Sequence, residues 1–170
     1  NTAVGNYALS ANLIGMESSA FGSNALKNNV RGYDNSAFGY NTLTNNTTGT
    51  YNSAFGVNAL QSNISGHENS AYGDSALNSN KTGSDNVAIG ETALYSSVSG
   101  SNNTALGSWA GVSLTSGSYN TFLGYRSDTT SLASSSSIAI GPYATTTASN
   151  QLVIGSSNAN GSITDAYFGQ

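Results

Sequence analysis

The stretch NSAFGVNALQSNISG, residues 52–66, decides the fold. It holds two short apolar segments, one ending at Phe55 and one at Leu60, with Gly56 and Gly66 as turning points. Ser-Ala-Phe is too short for a helix, and its aromatic residue favours a strand. A helical reading fails in any case, because two glycines in every 17 residues cost about 1 kcal/mol each and leave no helix of useful length.

Outward from this stretch the same pattern recurs. Gly5, Gly22, Gly39, Gly56, Gly73, Gly90, Gly107, Gly124 and Gly141 are spaced by 17 residues without insertion or deletion. A second column, Gly15, Gly32, Gly49, Gly66, Gly83, Gly100 and Gly117, follows ten residues behind the first. A unit this short cannot bury its own apolar face and must stack on its neighbours, about 4.8 Å away along the axis. The expected fold is all-β: a β-solenoid of 17-residue coils over residues 1–141, with residues 142–170 as modified terminal coils continuous with it.

Two columns supply the expected core. Val4, Phe21, Phe38, Phe55, Tyr72, Ile89, Leu106, Leu123 and Ile140 precede the first glycines, and Leu9, Leu26, Leu43, Leu60, Leu77 and Leu94 follow them. The position two before the large residue holds serine or threonine but becomes Val87 and Ile138. Strand side chains alternate, so this column shares a face with the large one, and the pattern predicts that face inward. The alanines between them are then expected outside, as a close-packing surface between chains. On that reading Phe55→Asp buries a charge at a cost of several kcal/mol. Asn35, Asn52, Asn69, Asn86, Asn103 and Asn120 are expected to form a ladder of amides from coil to coil. The regular pattern degrades from Ser108: Gly111 and Asp128 replace the expected leucine, and the spacing from Gly141 to Gly155 and on to Gly169 shortens to 14.

Composition narrows function. Charged residues make up 7% of the chain, the net charge is -4, and there is no cysteine. That balance offers no footprint for nucleic acid or an anionic membrane. Disulfides and thiolate metal sites are excluded. No stretch is apolar enough to span a bilayer, and residues 1–20 lack the order of a signal peptide. The chain starts within a repeat, which reads as a section of a longer fibre.

NSAFG, NVAIG at 86–90, SIAIGPYA at 137–144 and NQLVIG at 150–155 resemble the head repeats of trimeric autotransporter adhesins and the related shafts of phage tail-fibre-like and bacterial surface fibre proteins. The resemblance covers essentially the whole chain and implies left-handed parallel β-rolls wound as a homotrimer, without cofactor. It implies an extracellular place, on a cell surface or virion fibre, and partners among host or prey cell-surface glycans or proteins. The family's shorter unit equals the spacing of 14 at the end of this chain, whereas the dominant spacing of 17 departs from it. Residues 149–169 resemble the stretch that commonly precedes a C-terminal chaperone module.

Candidates for chemistry are few. His67, the single histidine, shares its position with Met16, Tyr33, Thr50, Ser84, Ser101 and Ser118, so it reads as a variable surface slot. No base is positioned for a serine nucleophile, and no catalytic residue is nominated. Glu17, Asp34, Glu68 and Asp85 share one position but lack a calcium-loop pattern, so they read as solvated edge charges and no metal site is nominated. Asn46, Asn63, Asn80, Asn102 and Asn160 open N-x-[ST] triplets that the repeat turn itself generates. Tyr7, Tyr33, Tyr40, Tyr51, Tyr95, Trp109, Tyr119 and Tyr125 sit at variable positions. Of the variable positions, Tyr51, His67, Trp109, Tyr119 and Tyr125 are the candidate ligand-binding residues. The expected function is a non-enzymatic fibre or adhesin segment, against an ice-binding β-solenoid and a polysaccharide-degrading fibre enzyme.

Overall fold

Each short apolar tripeptide forms a three-residue strand, and each strand pairs in parallel with the same tripeptide one repeat later. The computed structural model describes residues 1–155. Its strands are β1 (Thr2–Val4), β2 (Ser19–Phe21), β3 (Ser36–Phe38), β4 (Ser53–Phe55), β5 (Ser70–Tyr72), β6 (Val87–Ile89), β7 (Thr104–Leu106), β8 (Thr121–Leu123), β9 (Asp128–Thr129), β10 (Ile138–Ile140), β11 (Thr145–Thr146) and β12 (Leu152–Ile154). Ten of them form one parallel sheet in the order β1 to β8, then β10 and β12, and β9 pairs with β11 in a second sheet. Ser53 lies beside Ser70, Ala54 beside Ala71 and Phe55 beside Tyr72, so the register is the repeat itself. The chain is therefore a β-solenoid of 17-residue coils.

The inward face is opposite to the one that the alternation predicts. Ala20, Ala37, Ala54, Ala71, Ala88 and Ala105 are 0% exposed, whereas Phe21, Tyr72, Ile89, Leu106 and Leu123 are 36–45% exposed. The alanines line the lumen of the coil, and the large residues and the serine column stand outside. The reason is width. Leu26, Leu43, Leu60, Leu77 and Leu94 enter from the opposite wall and are fully buried, which leaves room for little more than a methyl group.

The irregular coil shows this volume constraint directly. Gly111 replaces the leucine in the coil where Phe122 replaces the next alanine. A Cβ on Gly111 would lie 2.7 Å from Cδ2 of Phe122 and 2.8 Å from Cδ2 of Leu94. The ring of Phe122, itself fully buried, fills the space that the missing leucine leaves.

The leucines take left-handed backbone angles, with φ of 50–51° from Leu9 to Leu94. That conformation costs roughly 1–2 kcal/mol per residue. Burying a leucine recovers about 1.5–3 kcal/mol, so the turn is retained because its residue is a core plug.

Two buried amide ladders run the length of the regular coils. In the first, Asn69 Nδ2 donates to Asn52 Oδ1 at 3.1 Å and to the Gly83 carbonyl at 2.9 Å, while the backbone N–H and Nδ2 of Asn86 both donate to Asn69 Oδ1. The second ladder, Asn12, Asn29, Asn46, Asn63 and Asn80, is not apparent as one from the residues, although N-x-x-G is visible in the repeat. Asn63 Nδ2 donates to Asn46 Oδ1 at 2.8 Å and to the Gly66 carbonyl at 2.9 Å. Both ladders converge on the second-column glycine carbonyls, since Gly66 also accepts from Asn52. A Cβ on Gly66 would sit 2.8 Å from Asn80 Nδ2, which is why that column admits no side chain. The second ladder ends where Ser97 and then Leu114 replace asparagine, leaving Asn80 Oδ1 and Ser97 Oγ buried without a partner.

Beyond Gly124 the coil changes shape. Asp128 belongs to a strand instead of a left-handed turn, and β12 pairs with β10 so that Ile138 lies beside Leu152, 14 residues on. The expectations for Asn160, Gly169 and the rest of 156–170 lie outside the described residues.

Candidate functional site

The side chains that depart from the repeat gather where the coil changes shape. Three successive coils place Trp109, Arg126 and Tyr143 at one left-handed position, with φ of 63°, 52° and 60°. Earlier coils hold Tyr7, Asn24, Asn41, Asn58, Ser75 and Thr92 there, all left-handed as well. Asparagine tolerates that conformation, and bulky residues do so at a cost. The Arg126 guanidinium lies 5.2 Å from the Trp109 ring centre and 5.6 Å from that of Tyr125. Tyr125 in turn meets Tyr143 edge to face at 5.4 Å.

Trp109, Arg126 and Tyr143 border an open groove of about 500 Å³, lined also by Asp128, Thr129, Thr130 and Leu132. Asp128 stands in the former leucine column, and its carboxylate accepts the Ser113 N–H at 3.2 and 3.3 Å. Burial pushes the Asp128 carboxyl above the usual carboxylate range, and the hydrogen bonds from Ser113 and Thr129 offset this in part. A smaller groove of about 290 Å³, lined by Thr92, Tyr95, Trp109 and Val112, adjoins it, so Trp109 borders both.

The raised Asp128 pKa has a consequence for stability. The folded state holds the Asp128 proton at pH values where the unfolded chain has lost it, so this contribution is present below about pH 3.9 and is lost as pH rises through the folded value. Asp128→Asn is therefore expected to melt higher than the parent near neutral pH. The difference should shrink as pH falls toward about 3.9, as thermal melts at both ends of that range would show.

The five candidate ligand-binding residues fall at two corners of the coil. Trp109 borders the groove, and Arg126 lies against both its ring and that of Tyr125. Tyr51, His67 and Tyr119 follow the second-column glycines instead. Tyr51 packs edge to face on Tyr33 at 5.3 Å, and that neighbouring phenol, then burial, raises its pKa above the ordinary value. His67 lies 3.7 Å from Glu68. Arg126 and Asp128 are not among the sequence candidates for the site, although Asp128 stands out in a leucine column and Arg126 is the one charged residue in a column of polar and aromatic residues.

Other sequence readings change. The His67 column is structural in later coils: Ser84 Oγ accepts the His67 N–H at 3.1 Å, and Ser101 and Ser118 repeat the arrangement. Asn46, Asn63 and Asn80 are fully buried in the second ladder, which removes them as glycan acceptors, whereas Asn102 is exposed. Among the described residues no group of three metal-ligating side chains could hold an ion. The serine column faces outward, but beside an aromatic and aliphatic ladder, not a second row of hydroxyls. No family model, curated protein or solved structure matches this chain.

Proposed function

We propose that this chain is a section of an extracellular fibre, on a cell surface or a virion, in which left-handed β-rolls associate as a homotrimer and display or space a receptor-binding region. The outward apolar ladder on the large sheet carries the reading. Phe21, Phe38, Phe55 and Tyr72 stack ring on ring with centroids 4.7–4.8 Å apart and planes within 8°, and aliphatic residues continue the column. A contiguous exposed apolar surface of this kind marks an association site. An occupant must match a ladder that repeats at every coil, and further copies of the same chain do so level by level about an axis along the solenoid.

Magnitude supports a long assembly. Covering the exposed remainder of one large residue is worth on the order of 1 kcal/mol. Ten strands in the sheet then supply on the order of 10 kcal/mol per chain, comparable with the roughly 4–15 kcal/mol lost on association. The number three comes from the likeness of NSAFG, NVAIG and SIAIGPYA to trimeric heads. A non-enzymatic role accords with the groove, whose lining holds a single carboxylate, Asp128, where glycoside hydrolysis uses two.

Phe55→Asp tests the reading. It places a charge on the outer ladder and leaves the lumen intact, so the variant should keep parallel-β circular dichroism yet sediment as a monomer at concentrations where the parent is a trimer. A parent that sediments as a monomer at micromolar concentration defeats the proposal, and so does a variant that assembles like the parent.

A further inference from the structure

We infer that the groove at the change of coil shape is a binding site for a neutral oligosaccharide, lying across Trp109 from the larger groove into the smaller one. The inference deepens the fibre reading, on which its biological use rests, while the binding itself needs no association between chains.

Four observations converge. The two grooves share Trp109 and Val112 and measure about 500 and 290 Å³, a size for more than one sugar ring. The larger one combines an aromatic ring and an aliphatic wall with a carboxylate acceptor and a guanidinium donor, the set that meets the apolar face and the hydroxyl edge of a sugar. Asp128 is already fixed by the Ser113 N–H at 3.2 and 3.3 Å, and Arg126 is fixed over Trp109 and Tyr125, so little order remains to be imposed on binding. Finally, successive coils place Trp109, Arg126 and Tyr143 at one left-handed position, so three large side chains stack at this groove where three earlier coils carry asparagine.

Charge selects within the class. Arg126 and Asp128 oppose each other in the groove, so no local excess of positive charge draws an anionic sugar, and the net charge of -4 disfavours one. Length is selected too, because a single ring fills one side of Trp109 and a longer chain meets both.

Trp109 is the only tryptophan in the sequence, so its emission reports on this site alone. We would titrate the parent with lactose, maltotriose, cellotriose and chitotriose, with their monosaccharides, and with sialyllactose as the anionic probe. At least one neutral oligosaccharide should shift the emission saturably, with its monosaccharide about tenfold weaker or more. Trp109→Asn and Arg126→Asn install the residue that the repeat itself uses at Asn24, Asn41 and Asn58, so both should melt no lower than the parent. By calorimetric titration both should bind about tenfold more weakly or worse. The inference is overturned if no neutral sugar in the set shifts the emission, if sialyllactose alone does, or if the folded variants bind like the parent. Sedimentation of the same samples separates the two readings: a monomer that binds removes the trimer and keeps the site, and a trimer that does not bind removes the site and keeps the fibre.

Discussion

Asn69→Ala is expected to destabilise the solenoid by about 4 kcal/mol, because it removes a buried hub of hydrogen bonds and leaves a buried donor unpaired. Four hydrogen bonds meet at this side chain: two donated by Nδ2, to Asn52 Oδ1 and the Gly83 carbonyl, and two accepted by Oδ1 from the backbone N–H and Nδ2 of Asn86. The Gly83 carbonyl retains Asn80 as a donor, and Asn86 Nδ2 retains Gly100. The Asn86 backbone N–H is left buried with no acceptor, at about 1–3 kcal/mol, and the remaining losses add a similar amount. Because each coil contacts only its neighbours, the cost falls on one interface and should split a single denaturation transition into two. The matched control is Asn28→Ala, which removes an exposed amide contact to Asn45 of 3.2 Å and should cost less than about 1 kcal/mol. Equal costs for the two would mean that the buried ladder contributes nothing beyond surface amide pairing.

Exchange across the lumen should have an effect of similar size. Phe122→Ala alone should cost about 3–5 kcal/mol by opening a cavity beside Gly111, and Gly111→Leu alone about 1–3 kcal/mol by forcing a side chain against the Phe122 ring. Together they rebuild the alanine–leucine pair of the regular coils, and leucine already occupies that backbone conformation from Leu9 to Leu94. The double variant should therefore lie within about 1.5 kcal/mol of the parent, far from the sum of the single changes. Additive costs in chemical denaturation would show that the two residues do not share one volume.

Much of this molecule is legible in its residues. Glycine spacing marks the coil, the tripeptide ahead of each first-column glycine marks the strands, and the asparagine column marks the first ladder, because each is a local pattern repeated in register. The second ladder hides within the same motif: Asn46, Asn63 and Asn80 look like turn residues or glycan acceptors, and only the stacking of coils buries their amides. The site is half legible. Aromatic residues at variable positions include Trp109 and Tyr125, but Arg126 and Asp128 belong with them only because successive coils superpose positions 17 residues apart.

A parallel β-solenoid of 17-residue coils follows from the residues alone, since a strictly repeated strand and turn has one economical way to bury its leucines. Which strand face turns inward is settled in three dimensions. Both alternating sets carry apolar residues, so hydrophobicity cannot choose between them. Lumen width can: with the leucines entering from the opposite wall, alanine fits inside and phenylalanine does not, except at Phe122, where Gly111 has vacated the space.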